Sequence, residues 1–248
     1  LGLGESYMEG DWDCQALDQF FYHALKGKLD EQAQKQFIWH SIYQRLFNPQ
    51  SRSRARQVGE HHYDTSNSFF EHMLDPRMTY TCAYWQEAQD LNSAQEAKLD
   101  LVCQKLELKP GMRLLDIGCG WGSLMKFAAE NYAVNCVGLT VSKEQAAFAE
   151  QRMGQLPVKF HLADYREFQV DRDQQFDRIA SIGMFEHVGQ KNYADFFSAI
   201  MRNLKKDGLC LLHTIGKNVG GFGTDPWIHR YIFPNGELPT LSGLTKSL

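Results

Sequence analysis

Short apolar runs alternate with stretches of helical periodicity from about residue 57 to the end of the chain. The apolar runs predict strands at 113–117, 134–139, 158–163, 178–182 and 209–214. Apolar residues spaced three and four apart predict intervening helices at 123–132, 144–153 and 193–204. Strands that alternate with helices are typical of a parallel sheet covered on both faces. We therefore predict an α/β fold built on a mostly parallel sheet.

The beginning of the chain follows a different pattern. Amphipathic periodicity predicts helices at 12–29 and 32–46, which indicates a small helical domain over residues 1–55. The α/β part, over residues 56–248, would then be the catalytic domain. The arginine-rich segment 51–56 is either a solvated linker or a contact for anionic lipid headgroups.

Two short signatures predict where helices begin. Ser93 and Glu96 match a capping box, which predicts a helix that runs to about Leu108. Ser142 and Gln145 match a second capping box at the start of another helix.

The most specific signal is a glycine-rich turn directly after the first predicted strand. Residues 116–122 follow the pattern D-x-G-x-G-x-G. Glycines at such a turn let a ligand approach the backbone, and the next helix offers it unpaired N–H groups. The pattern resembles the first motif of S-adenosylmethionine-dependent methyltransferases. It differs from the dinucleotide fingerprint G-x-G-x-x-G, because the chain has Ser123 where that fingerprint needs glycine.

Polar side chains stand at or just after the ends of all the main predicted strands. They are Asp116, Thr140, Asp164, Glu186 and His213. In a parallel sheet the carboxyl ends of the strands meet at one crevice, and ligands bind there. We therefore expect these side chains to surround a single site.

Composition narrows the class of protein. The chain has 248 residues, a net charge of −4 and six cysteines. The acidic balance disfavours a nucleic-acid binder, and no apolar run is long enough to span a bilayer. Because no cysteines form a C-x-x-C pair, neither a zinc knuckle nor a redox dithiol is predicted, and the chain fits a reduced, cytosolic interior. Neither end reads as a natural terminus, so we expect a piece of a longer protein.

The glycine turn predicts how a methyl donor would bind. The backbone at Gly118 and Gly120 would meet the amino acid end of S-adenosylmethionine. Asp116 would either pair with its ammonium group or orient the loop. Asp164 would accept from the adenine amine. Tyr165 would either stack on the adenine or serve only in packing.

The second predicted strand lacks the acidic residue that nucleotide-binding sheets use to hold ribose hydroxyls. Thr140 and Gln145 would have to take its place. This absence disfavours an NAD(P)-dependent oxidoreductase.

The chain resembles the cyclopropane-fatty-acyl-phospholipid synthases and their mycolic acid cyclopropane synthase relatives over about residues 57–240. The matching segments are 60–64, 75–76, 80–85, 116–122, 137–142, 183–189, 211–216, 225–228 and 231–236. The resemblance implies a class I methyltransferase (Rossmann-like) fold with a small N-terminal helical domain. It also accounts for Thr140 and Gln145, since the family shares this substitution.

The resemblance also implies a reaction. The family adds the methyl carbon of S-adenosylmethionine to a cis double bond of a phospholipid acyl chain, and loss of a proton closes a cyclopropane ring. A bound bicarbonate is thought to take that proton. The residues that match the bicarbonate site are Cys82, Glu186, His213 and, through its main chain, Ile215. Tyr80 and Thr81 match positions near the cofactor.

Glu186 and His213 could instead have purely structural roles. Glu186 would otherwise be an acid at a helix start, and His213 a core histidine at a strand end. A covalent role for Cys82 is disfavoured, because methyl transfer to an alkene needs no nucleophilic residue.

The family further implies a homodimer, contact with a phospholipid bilayer, and a cytoplasmic location at the inner face of the membrane. Its bicarbonate site includes a tyrosine that would lie beyond Leu248, and Tyr231 is not its equivalent. The lid over the acyl pocket would also lie beyond this chain.

Two alternatives stay open: methylation of an acyl chain or small molecule without ring closure, and a non-catalytic module that binds lipid or S-adenosylmethionine.

Overall fold

A parallel sheet forms the centre of the computed structural model, which describes residues 2–29, 67–218 and 225–247. Its strands are β1 (Arg113–Ile117), β2 (Asn135–Thr140), β3 (Val158–Leu162), β4 (Phe176–Ile182) and β5 (Leu204–His213). They lie in the order β3-β2-β1-β4-β5, and every neighbouring pair is parallel. The predicted α/β fold with a mostly parallel sheet is confirmed.

The helices of the described residues largely follow the predicted pattern. They are α1 (Gly2–Met8), α2 (Leu17–Lys26), α3 (Asn67–Met73), α4 (Leu91–Lys105), α5 (Ser123–Tyr132), α6 (Lys143–Arg152), α7 (Tyr193–Asn203), α8 (Pro226–Tyr231) and α9 (Leu241–Thr245). Helices α5, α6 and α7 begin within one residue of their predicted starts. The helix predicted at 12–29 is wrong in its bounds, because α2 covers the shorter range Leu17–Lys26 and α1 ends before the predicted helix begins. The helix predicted at 32–46 and the segment 51–56 lie outside the described residues.

The predicted start of α4 is also wrong. Asp90 is the N-cap: its carboxylate accepts from the Ser93 N–H at 2.8 Å, and the Ser93 hydroxyl accepts from the Asp90 N–H at 3.3 Å. Ser93 is therefore the third helical residue, and its hydroxyl makes the returning hydrogen bond of a capping box whose N-cap is Asp90. A carboxylate is the stronger cap here because it also interacts favourably with the helix dipole. The second prediction is confirmed for the N-cap, where the Ser142 hydroxyl accepts from the Gln145 N–H at 3.2 Å. The reciprocal bond of a capping box does not form, because the Ser142 N–H donates to the Thr140 hydroxyl at 3.1 Å.

The apolar residues of the sheet pack into a core on each face. Leu114 and Leu115 are consecutive in β1, both fully buried, and belong to different cores because strand side chains alternate in direction. Helices α4 and α5 cover the core that contains Leu114, and α7 covers the other. Strand β1 is thus enclosed on both faces, which fixes the glycine turn at its end.

Two polar side chains interrupt the buried face of α4. The Gln95 amide donates to the main-chain carbonyls of Thr79 at 3.3 Å and Thr81 at 2.8 Å. The Lys98 ammonium donates to the Thr81 hydroxyl at 2.7 Å. These bonds hold the segment 79–81 against α4.

The N-terminal helix α1 contacts helix α8 near the other end of the chain. One carboxylate oxygen of Glu5 accepts from the Arg230 guanidinium and from the Tyr231 hydroxyl, both at 2.9 Å. The Trp227 ring lies against Gly4, so closely that a Cβ there would be 2.5 Å from the ring. Residues of the predicted helical domain therefore pack against the α/β part of the chain.

We predict that Gln95→Met lowers the free energy of unfolding by about 1–3 kcal/mol, because one buried and one partly buried carbonyl lose their donor. Methionine has nearly the same length, so the change removes hydrogen bonds without opening a large cavity. The matched control is Gln104→Met on the exposed side of the same helix, which should stay within about 0.5 kcal/mol. Urea unfolding of both variants measures the difference, and equal stabilities would contradict the structural role of Gln95.

Candidate functional site

The glycine turn after β1 adopts a backbone that side chains disfavour. Gly118 and Gly120 have φ values of +84° and +53°, in the left-handed region. A Cβ at Gly118 would lie 2.4 Å from the Met184 side chain, so packing requires glycine there. A Cβ at Gly120 would meet no atom within 4 Å, so this position borders open space. Gly120 thus lets a ligand approach the backbone.

A solvent-open cleft lies against this turn. The predicted cofactor residues that line it are Tyr80, Thr81, Asp116, Gly118, Gly120 and Gln145. The sheet, the turn and the segment held by α4 therefore meet at one cavity, as the strand-end rule predicts.

The cleft wall carries one acidic and one basic side chain. Asp116 and Lys98 are both buried, with exposed fractions of 4% and 5%. Burial raises the pKa of Asp116 to about 7, although the Lys98 charge opposes the shift. Burial likewise lowers the pKa of Lys98 to about 8, against the attraction of nearby negative groups. The cleft therefore holds one ionisable acid and one ionisable base, and burial favours the neutral form of each.

At the end of β2, Thr140 bonds to Gln145, and Gln145 lines the cleft. Gln145 lines the cleft, whereas Thr140 lies behind it. The Thr140 hydroxyl donates to the Gln145 side-chain carbonyl at 3.1 Å and accepts from the Ser142 N–H at 3.1 Å. These bonds leave the amide N–H groups of Gln145 as the donors available to a ligand. Thr140 therefore orients Gln145.

Asp164 and Tyr165 follow β3 and are not among the residues that line the cleft. Both carboxylate oxygens of Asp164 accept from the Arg166 guanidinium, at 2.8 and 2.5 Å. The Tyr165 ring packs edge-on against Phe196, with ring centroids 5.3 Å apart. Their roles toward adenine stay predictions, and packing is an evident role for Tyr165.

A second cluster adjoins the cleft where β4 and β5 end. Glu186 lies in a short 3₁₀ turn at Phe185–His187 and is buried. One of its carboxylate oxygens accepts from the Ile215 N–H at 2.6 Å. The other is buried and has no hydrogen-bond partner among the described residues. A buried carboxylate oxygen without a donor is costly, so this oxygen is available to a ligand that carries one.

His213 completes this cluster from the last residue of β5. Its Nε2 lies 3.6 Å from the sulfur of the exposed Cys82, and its buried Nδ1 has no partner among the described residues. Burial lowers the pKa of His213, and the positive charge of Lys98 lowers it further. The imidazole is therefore neutral at pH 7, with one N–H to donate.

The structure places Glu186 against Ile215 and His213 beside Cys82, and Glu186 is near enough for its charge to act on the pKa of His213. The main-chain N–H of Ile215 is already used by Glu186, so the part that Ile215 plays is to hold this carboxylate in place. Its side chain is exposed. No group of His, Cys, Asp and Glu among the described residues is arranged to hold a metal ion.

Two contacts join the cleft to this cluster. Thr81 lines the cleft, and Cys82 follows it in the chain. Gly183 also lines the cleft, and its N–H donates to the His213 carbonyl at 3.0 Å. The cleft and the Glu186–His213 cluster are therefore neighbouring parts of one site.

Sequence reasoning missed Lys98 and Gln95. Both lie on the face of α4 that carries Ala94, Leu99 and Val102, all buried. Polar residues at three-residue spacing on an apolar helix face were the available signal, because such a face is buried and each polar group must find a partner.

We predict that Asp116→Asn raises the free energy of unfolding, and does so more at pH 8 than at pH 5.5. Because burial raises the pKa of Asp116 to about 7, the folded protein binds this proton more tightly than the unfolded chain does. The contribution of Asp116 to the free energy of unfolding is therefore fully present below about pH 3.9, which is the pKa of this group in the unfolded chain. It is lost as the pH rises toward about 7, the pKa in the folded protein. Asparagine has no charge to bury, so the gain should reach about 1–3 kcal/mol at pH 8.

Urea unfolding at the two pH values measures this difference, with the exposed Asp207→Asn as the control. A gain that is equal at both pH values would show that ionisation of Asp116 carries no cost.

Comparison with known proteins is consistent with this geometry. A family model described as mycolic acid cyclopropane synthetase matches residues 50–248. Over its full length the chain is 52% identical to the cyclopropane-fatty-acyl-phospholipid synthase of Escherichia coli strain K12, and it spans 64% of that protein.

Two solved structures share the fold. The cyclopropane synthase MmaA2 from Mycobacterium tuberculosis is 40% identical, with a TM-score of 0.70 over 77% of this chain and 72% of its own. The mycolic acid cyclopropane synthase CmaA1, complexed with SAH and CTAB, is also 40% identical, with a TM-score of 0.68 and the same coverage. The predicted class I methyltransferase fold is thus confirmed, and the chain belongs to the mycolic acid cyclopropane synthetase family.

Proposed function

We propose that this protein transfers the methyl group of S-adenosylmethionine to a cis double bond of a phospholipid acyl chain and forms a cyclopropane ring. The observation that carries the proposal is the contact between the two parts of the site. A glycine-lined cleft with one acid and one base adjoins, through Thr81 and Gly183, a cluster that offers a buried carboxylate oxygen. One part suits the methyl donor, and the other suits the group that removes the proton.

The cleft residues fit the methyl donor chemically. Asp116 suits the ammonium group, Gly118 and Gly120 expose backbone, and Gln145 offers amide donors to the ribose hydroxyls. When bound, S-adenosylmethionine supplies an electrophilic methyl group. SAH is part of the CmaA1 complex, which has the same fold as this chain.

The proposed reaction makes further demands on the site. An alkene is a weak, uncharged nucleophile, so it must be held in line with the S–CH₃ bond. The cation that forms on the acyl chain must be kept from water. The half-buried Tyr80 ring lines the cleft and rests on Phe70, with ring centroids 5.3 Å apart. Its face is suited to stabilise that cation without reacting.

Bicarbonate is the proposed base. Its O–H would donate to the buried oxygen of Glu186 that has no partner among the described residues, and the neutral His213 would donate to one of its other oxygens. Cys82, beside His213, would border the anion and form no covalent bond. Glu186 itself is kept in place by the Ile215 N–H, so it orients the anion and need not accept the substrate proton.

The proposed place of action is the surface of a phospholipid bilayer, at the inner face of the cytoplasmic membrane, with the protein as a homodimer. None of the described helices has both the length and the apolar character needed to cross a membrane. Helix α2 exposes Phe21, Tyr22 and Leu25 beside Lys26. Aromatic and apolar side chains next to a cation suit the interface between headgroups and acyl chains.

We predict that the full-length protein, given methyl-labelled S-adenosylmethionine and vesicles of cis-unsaturated phospholipid, yields lipid heavier by one CH₂ group for each double bond consumed. Mass spectrometry measures the gain, and proton NMR identifies the cyclopropane ring. The same vesicles made from saturated phospholipid are the control. A methyl-branched or methylene product would favour transfer without ring closure, and no labelled lipid despite normal cofactor binding would favour a binding module.

Glu186→Gln should lower the turnover number by at least about 100-fold and leave affinity for S-adenosylmethionine within about twofold. The amide keeps an oxygen for the Ile215 N–H, but it can place an N–H where the anion would donate. The exposed Glu167→Gln is the matched control and should retain full activity. Undiminished turnover in the Glu186 variant would remove this residue from the site.

A further inference from the structure

Lys98 is a buried cation in the cofactor cleft that the reaction described above does not use. Only 5% of its surface is exposed, and it is the only basic side chain among the described residues that line the cleft. Within the described part of the chain its ammonium donates to the Thr81 hydroxyl and forms no ion pair. A buried ammonium with one neutral partner is costly, and its pKa is lowered to about 8 by burial.

The hydrogen bond to Thr81 has only one possible direction. An ammonium group has no lone pair, so Lys98 must donate and the Thr81 oxygen must accept. The Thr81 hydroxyl hydrogen is therefore available for a different acceptor. The Thr81 side chain is also confined, because a Cβ at Gly183 would lie 2.4 Å from its methyl group. Lys98 and Thr81 together present two donors at the cleft.

The charges of the cleft wall match those of an amino acid. The methyl donor ends in an α-ammonium and an α-carboxylate, and the cleft offers one buried acid and one buried base. Asp116 suits the ammonium, and this leaves the carboxylate for Lys98. A charge-assisted contact in a desolvated site is stronger than one in water, and it would offset the cost of burying Lys98.

We propose that Lys98 and Thr81 form the carboxylate subsite for the methyl donor, in which Lys98 supplies the charge and turns the Thr81 hydroxyl toward the ligand. The inference rests on the proposed function, since it assumes that S-adenosylmethionine occupies this cleft. It adds a cofactor-binding residue and predicts that the cleft recognises the amino acid end of the donor by charge.

The test compares two ligands that differ only in the carboxylate: S-adenosylhomocysteine and its decarboxylated analogue. Isothermal titration calorimetry measures both dissociation constants for the full-length wild type, Lys98→Met, Thr81→Val and the exposed control Lys109→Met. Circular dichroism establishes that each variant is folded.

Lys98→Met should lower the affinity for S-adenosylhomocysteine by about 10–100-fold and the affinity for the analogue by less than about threefold. The reason is that a charged hydrogen bond is lost only with the first ligand. Thr81→Val is nearly isosteric and should fold even if Lys98→Met does not. It should lower the affinity for S-adenosylhomocysteine by about 3–10-fold and leave the affinity for the analogue unchanged. Lys109→Met should match the wild type with both ligands.

Equal losses for the two ligands, in either variant, would overturn the carboxylate subsite and leave the cofactor cleft in place. An unchanged affinity for S-adenosylhomocysteine would overturn it as well. A wild-type protein that binds neither ligand would instead overturn the proposed function, and the inference with it.

Discussion

Five parallel strands must end at the same edge of the sheet, and both parts of the site depend on this constraint. The glycine turn after β1 and Gln145 after β2 line the cleft. Glu186 after β4 and His213 at the end of β5 form the neighbouring cluster. The Gly183 N–H, which donates to the His213 carbonyl, joins the last two strand ends. Residues that are about 100 positions apart in the sequence thereby meet within one site.

The site stores unfavourable free energy that the rest of the fold must offset. Asp116 and Lys98 are desolvated charges, and Glu186 buries an oxygen with no donor among the described residues. Such groups lower the stability of the unliganded protein. The packed faces on either side of β1 hold them in place regardless. A ligand that supplies the matching charges and donors is therefore bound by groups that are already desolvated and oriented.

Much of this organisation could be predicted from the sequence, because it depends on local patterns. Apolar periodicity predicted the strands and helices around the glycine turn, and the strand-end rule grouped Asp116 with Glu186 and His213. Contacts between distant segments could not be predicted in this way. The bonds from Gln95 and Lys98 to the segment 79–81, and the use of the Ile215 N–H by Glu186, depend on tertiary packing. The cap at Asp90 was missed because two capping residues stand one turn apart, and local sequence does not decide between them.

We propose that the two parts of the site have different roles. The cleft holds the methyl donor, and Glu186 with His213 holds the anion that takes the proton. A crystal structure of the full-length protein with S-adenosylhomocysteine, grown in bicarbonate, tests this most directly. The account predicts a planar anion between the free oxygen of Glu186 and the His213 ring, beside a nucleoside in the cleft. A nucleoside in the cleft with the anion bound elsewhere, or with the amino acid end occupying the Glu186–His213 cluster, would contradict it.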